Sequence, residues 1–111
     1  MVVSKTELFD EALQKKANLF KALSHPARLQ ILHFLAEAKT CISGDISDEL
    51  PLSRTTVNQH LKELKDAGLI QGHVDGVKMN YCLDYKKMDE MKTLLGSFLN
   101  EFQLPDDFCC K

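Results

Sequence analysis

No apolar run in this chain approaches the ~20 residues that a bilayer-spanning helix needs, and its first residues, MVVSKTELFDEAL, lack a signal-peptide core. These absences predict a cytoplasmic protein with no membrane partner. Internal repeats, linker-like stretches and low-complexity segments are missing too. So are a paired nucleophile and base, a phosphate-cradling glycine loop and a cofactor fingerprint, which argues against an enzyme. A basic excess is also lacking, with 14 Lys and Arg against 16 Asp and Glu. The balance is uneven along the chain, however: residues 1–52 carry −1, residues 53–83 carry +1 and residues 84–111 carry −2. Only the middle third is positive, so any attraction to a polyanion is modest and salt-sensitive. At 111 residues the chain suffices for one domain with one core. We read residues 1–104 as that domain and residues 105–111 as a flexible, Cys-containing tail. In the cytoplasm its four cysteines suggest thiols, metal ligands or redox groups rather than a disulfide framework.

What is present is organised around residues 46–69, ISDELPLSRTTVNQHLKELKDAGL. This reads as two helices meeting at a Pro51-Leu52-Ser53 corner. Ser53 is a suitable N-cap for the second, and Gly68 a suitable stop, because glycine accepts the left-handed conformation after a last turn. Val57, Leu61 and Leu64 form one apolar stripe at helical spacing. At roughly 100° per residue, Thr55, Asn58, Gln59 and Lys62 fall on the opposite side, with Arg54 and Thr56 in the first turn. Such side chains donate to and accept from base edges and phosphates, and a helix N-terminus itself attracts phosphate. The pattern predicts a helix-turn-helix, with an ordinary solvated helix face as the plain alternative.

Around that stretch, Ser4 and Glu7 have the spacing of a capping box. The helix they precede is apolar on a broad front through Leu8, Phe9, Leu13, Leu19, Phe20 and Leu23. Ser24 and Pro26 predict the start of a second helix, with Leu29, Ile31, Leu32 and Leu35 on its buried side. Ser43 is placed to cap the short helix that Pro51 ends. After Gly68 the period becomes two, and Asp75-Gly76 predicts a hairpin with Val74 opposite Val77 and His73 opposite Lys78. Met79, Tyr81 and Leu83 then share one face, and Lys78, Asn80 and Cys82 the other. A hairpin directly after a reading helix is a wing, whose Lys78 reaches a phosphate or the minor groove. Asp84 caps a last helix striped by Met88, Met91, Leu95, Phe98 and Phe102. Beside the broad apolar first helix, this stripe predicts an isologous homodimer. The expected fold is mainly α with a β-hairpin, a dimeric winged helix-turn-helix.

The segments FKALSHPARLQIL (residues 20–32), LSRTTVNQHLKEL (residues 52–64) and AGLI (residues 67–70) together resemble the ArsR/SmtB family of winged-helix metalloregulatory repressors. The resemblance extends over roughly Leu13 to Phe102. It implies a homodimer that holds palindromic double-stranded operator DNA and releases it on binding a metal or metalloid. The candidate DNA contacts, from the helix face and the wing, are Ser53, Arg54, Thr55, Thr56, Asn58, Gln59, Lys62 and Lys78. Arsenic-sensing members carry a Cys-x-Cys-x-x-Cys run where this chain has Ile42, Gly44 and Ser47, and Cys41 lies one position outside. Zinc-sensing members use Asp and His on the last helix, where residues 86–102 contain no His. Cys109 and Cys110 resemble the terminal cysteines of other thiol sensors in the family.

Trivalent arsenic or antimony prefers a small set of soft thiolates, a preference that hard ions do not share. Cys109 and Cys110 supply two, and Cys41, ahead of the reading helix, is the first choice for the third, with Cys82 the second. Zinc, which wants four ligands, fits less well. Free cysteine is also a small buried hydrophobe, so packing remains open for Cys41 and Cys82. A second reading keeps the DNA binding but replaces the ligand with thiol oxidation at Cys109 or Cys110. His25, His33 and His60 read as local structure or packing, and His73 as a solvated or phosphate-side residue.

Overall fold

A computed structural model describes residues 8–38, 41–43, 46–76 and 78–104, with the side chains of Ser43, Asp75 and Lys78 excepted. The elements run α1 (Glu11–Ala22), α2 (Pro26–Ala38), β1 (Ile42–Ser43), a 3-10 turn (Ile46–Glu49), α3 (Arg54–Asp66), β2 (Ile70–Asp75), β3 (Lys78–Leu83) and α4 (Tyr85–Asn100). No helix among the described residues is long and apolar enough to cross a membrane.

Each well-formed helix end has a local cause. Ser53 accepts from the amide of Thr56 at 3.3 Å and so starts α3. At the other end Gly68 takes φ +83°. Its amide donates to the carbonyl of Lys65 and that of Leu69 to Leu64, a Schellman closure that satisfies carbonyls the helix leaves unpaired. Asp84 caps α4 by accepting from the amide of Lys87 at 3.1 Å. The start of α2 differs from expectation. Ser24 donates backward to the carbonyl of Lys21, and it is His25 Nδ1 that accepts the amide of Ala27 at 3.0 Å. The capping box at Ser4 and Glu7 lies outside the described residues.

The core is one cluster in which Ile31 and Leu35 of α2, Val57 and Leu64 of α3, and Leu69 are the most deeply buried. Leu83 closes it from the sheet, and Met91 and Leu95 from α4. The short helix expected before Pro51 is a single four-residue 3-10 turn. Proline disfavours the α region for the residue before it, and Leu50 ends the turn with its amide on the carbonyl of Ser47. Ser43, expected to cap that helix, lies in β1 and pairs with Asn80.

The wing is correspondingly larger than a hairpin. Its sheet has three antiparallel strands in the order β1-β3-β2. The hairpin register also differs: Val74 faces Met79, His73 faces Asn80, and Asp75 faces Lys78. Gly76, at φ +66°, therefore takes the first central turn position instead of the second. A glycine there satisfies the positive φ that a tight hairpin demands. The pairing moves by whole pleats, so the inward and outward sets of side chains are preserved.

Candidate nucleic-acid interface and thiol pair

The polar side of α3 is open along its length. Ser53, Arg54, Thr55, Thr56, Asn58, Gln59 and Lys62 are all exposed, while Val57, His60, Leu61 and Leu64 are buried. Ser53 is already occupied with capping, since its hydroxyl also donates to Thr56 Oγ1 at 3.0 Å. Gln59 donates to Glu63 at 3.4 Å on the surface, an interaction weak enough to be exchanged for a base edge. The backbone of Lys78 sits at the turn end of β3, and its side chain lies outside the described residues. On the outer face of the wing His73 Nε2 lies 3.2 Å from Gln71 Oε1, and Gln71 donates to Asp84.

Behind the polar face, α3 is held by a junction that sequence reasoning split into separate residues. Arg28 of α2 donates through Nε to His60 Nδ1 at 3.2 Å, and through Nη1 to the carbonyls of Lys21 and Ala22 at 3.0 and 3.4 Å. One guanidinium thus links the last turn of α1 to the middle of α3. The rings of His25 and His60 pack with centroids 4.3 Å apart. Accepting at Nδ1 makes the neutral His60 ring carry its proton on Nε2. Burial lowers the pKa of His60, and the charges of His25 and Arg28 lower it further, against a smaller opposing effect from Glu63. Among the described residues His60 is the one buried polar side chain, 7% exposed. The signal for this junction was available only as a histidine on the edge of an apolar stripe.

The cysteines divide into two pairs. Cys41, immediately before β1, is disulfide-bonded to Cys82 of β3, with their Cα atoms 4.3 Å apart. That overturns the expectation of unlinked thiols at these positions. It also gives Cys41 a partner in the wing, where a terminal cysteine was expected. The reason is the unforeseen strand β1, which sets Cys41 directly across from Cys82. Cys109 and Cys110 lie outside the described residues. Among the described residues no group of three or more His, Cys, Asp or Glu is placed to hold a metal ion.

At the other end of the molecule α1 packs on α4, with Phe20 and Phe98 edge to face at 5.5 Å and Phe98 against Phe102 at 5.1 Å. Leu13, Leu99 and Phe102 remain exposed beside them. A groove of about 550 Å³ runs between the two helices, floored by Leu19, Leu69, Met91 and Leu94 and rimmed by Lys15, Lys16, Lys87 and Glu90.

Comparison with known proteins agrees with this arrangement. Residues 25–71, from the start of α2 into the wing, match the family described as "Bacterial regulatory protein, arsR family". The transcriptional repressor SdpR of Bacillus subtilis is 31% identical over 84 residues, covering 76% of this chain and 92% of SdpR. The cadmium resistance transcriptional regulatory protein CadC of Listeria innocua is 30% identical, covering 88% of this chain and 82% of CadC. Among solved structures, an ArsR-like transcriptional regulator from Rhodococcus sp. RHA1 superposes with a TM-score of 0.68 over 84% of this chain and 87% of that one. At 24% identity that last likeness speaks for the fold. With its winged helix-turn-helix and its likeness to these transcriptional regulators, the chain belongs to the ArsR family of DNA-binding transcriptional regulators.

Proposed function

We propose that this protein is a homodimeric, sequence-specific repressor that leaves its operator on binding a thiophilic metalloid or metal, with trivalent arsenic or antimony as the best-fitting inducer. The observation that carries the reading is the fully exposed polar face of α3, capped at Ser53 and flanked by the wing. In this reading α3 enters the major groove, where Arg54, Thr55, Asn58, Gln59 and Lys62 meet base edges and phosphates. Ser53 and Thr56 hold the helix N-terminus toward the backbone, and Lys78 brings the wing to a neighbouring phosphate. The apolar face and groove of α1 and α4 are covered by a second copy, which spaces two reading helices across a twofold axis.

The inducer is argued from donor chemistry. Cys41, once its bond to Cys82 is reduced by thiol exchange, offers a thiolate in the segment leading into α3, and Cys109 and Cys110 add two more from residues 105–111. A relative named for cadmium resistance supports a soft ligand, and zinc is the poorer fit. Ligand binding at Cys41 draws on the segment that positions α3 and so favours a state with low operator affinity. A second reading, thiol oxidation without a metal, is favoured by one observation, the Cys41–Cys82 disulfide.

An operator selected from a random duplex library, followed by anisotropy titrations of reduced protein with arsenite and separately with peroxide, tests both readings. Release by arsenite supports the first. Release by peroxide alone overturns it in favour of the second, and failure to select any sequence overturns the repressor assignment.

A further inference from the structure

The Cys41–Cys82 pair occupies an unusual place in the wing. Its strands pair Ile42 with Tyr81 and Ser43 with Asn80, and one step further along the same register sets Cys41 against Cys82. A Cα separation of 4.3 Å matches the close, non-hydrogen-bonded position of an antiparallel ladder, where opposing side chains approach most nearly. Leu83 is buried and Tyr81 packs on the core, so by strand alternation Cys82 points to the outer face. Cys41 is exposed. A small molecule therefore reaches both sulfurs without disturbing the core.

We propose that the reduced Cys41–Cys82 pair is a chelating dithiol for trivalent arsenicals, and that the disulfide is its oxidised form, which refuses the ligand. The consequence for DNA rests on the repressor reading above; the binding itself does not. A sulfur pair bridging one pyramidal arsenic at ~2.3 Å per bond and an angle of about 95° spans ~3.4 Å, against ~2.05 Å in a disulfide. Rotation about the two Cα–Cβ bonds supplies part of that opening and a shift of β1 the rest, because Cβ atoms held ~3.5–4.5 Å apart by a disulfide relax toward the ~4.5–5.5 Å of an unbridged ladder pair. The chemistry balances without an external oxidant. Two equivalents of a small thiol reduce the disulfide by exchange, leaving two protein thiols and one small-molecule disulfide. Arsenite then condenses with both thiols: two As–S bonds form, two As–O bonds break, and two waters leave, with arsenic still trivalent. Its third position keeps a hydroxyl or takes a further thiol. A phenylarsenical, whose third bond is to carbon, is satisfied by two sulfurs alone.

The ring that this bridge closes contains the 3-10 turn, α3 and β2, so exchanging a disulfide for a longer arsenic bridge resets β1 at the root of the reading helix. The test uses the full-length C109S/C110S variant, reduced and freed of small thiols, with phenylarsine oxide as the probe. Intact-mass and peptide analysis should find one phenylarsenic group per chain, joining the Cys41 and Cys82 peptides and consuming both thiols. Adding C82S or, independently, C41S should weaken retention ~100-fold or more, the loss expected when a second attachment is removed. Peroxide-treated C109S/C110S protein should take up none. Equal retention by the C82S and C41S forms, with circular dichroism unchanged, would overturn the site.

Operator release separates this failure from that of the repressor reading. Arsenite release that persists in the single variant C82S overturns the site as the trigger and leaves the reading standing. Phenylarsenic uptake as expected, without arsenite release from reduced wild type, supports the site and overturns induction by arsenic.

Discussion

Helix α3 and the α1–α4 pair are built on the same plan and present opposite chemistry. Both bury one apolar stripe in the shared core. Beyond that stripe α3 shows Arg54, Thr55, Asn58, Gln59 and Lys62, whereas α1, α4 and the turn after α4 show Leu13, Phe20, Leu99 and Phe102. A solvated polar face loses little by standing free and gains from a polyanion whose counterions it releases. A contiguous apolar face beside a groove is an unfinished surface, and a second protein surface completes it. On the reading proposed above, the partner of each end follows from what its helix leaves outside, a nucleic acid at α3 and a second copy at α1 and α4.

Removing what the two ends share has the largest effect. Leu64, on the inner side of α3, is 0% exposed, and Leu64→Ala should cost ~2–5 kcal/mol of stability, read as a lower denaturant midpoint. Next, Phe98→Glu places a charge in the aromatic cluster of α1 and α4. It should weaken self-association by ~2 kcal/mol or more and yield a folded monomer in sedimentation velocity; an unchanged dimer would remove the protein end from the comparison. Arg54→Ala addresses the other end, and should cost ~1–3 kcal/mol of operator binding with self-association unaltered. Unchanged affinity at moderate salt would argue against α3 in the groove.

The smallest effect comes from pH. His60 has a lowered pKa in the fold, so the unfolded chain binds its proton more readily. The stabilisation from neutral His60 is complete above the ordinary histidine value of about 6.5. It is lost as pH falls from there through the lower folded value. His60→Gln should flatten that part of the stability–pH curve, measured by denaturation at a series of pH values.

Most of the reading helix was legible because its causes are local. Ser53, the Val57–Leu61–Leu64 stripe and Gly68 each act within a turn or two, and Asp84 does the same for α4. The wing was legible in kind and in the sidedness of its strands, but not in register, since a glycine fits either central turn position. The two-residue strand β1 was not legible. Its pairing to β3 spans about forty residues of sequence, and no periodicity can show in two residues. With β1 hidden, Cys41 had no visible neighbour, and Cys82 was placed only by strand parity. The Arg28–His60 bond was hidden in the same way, with each residue sensible alone and the contact 32 positions apart. The exposed positions of the candidate DNA face follow from helix geometry; the bases they meet do not.

Arg28 has one further consequence. Its guanidinium grips the backbone at the end of α1 with one nitrogen and the imidazole inside α3 with another. Any tilt of the first helix, such as a partner subunit would impose, must either carry the third helix along or break one of those bonds. The domain therefore contains its own tie-rod, and the pitch of one end is geared to the stance of the other.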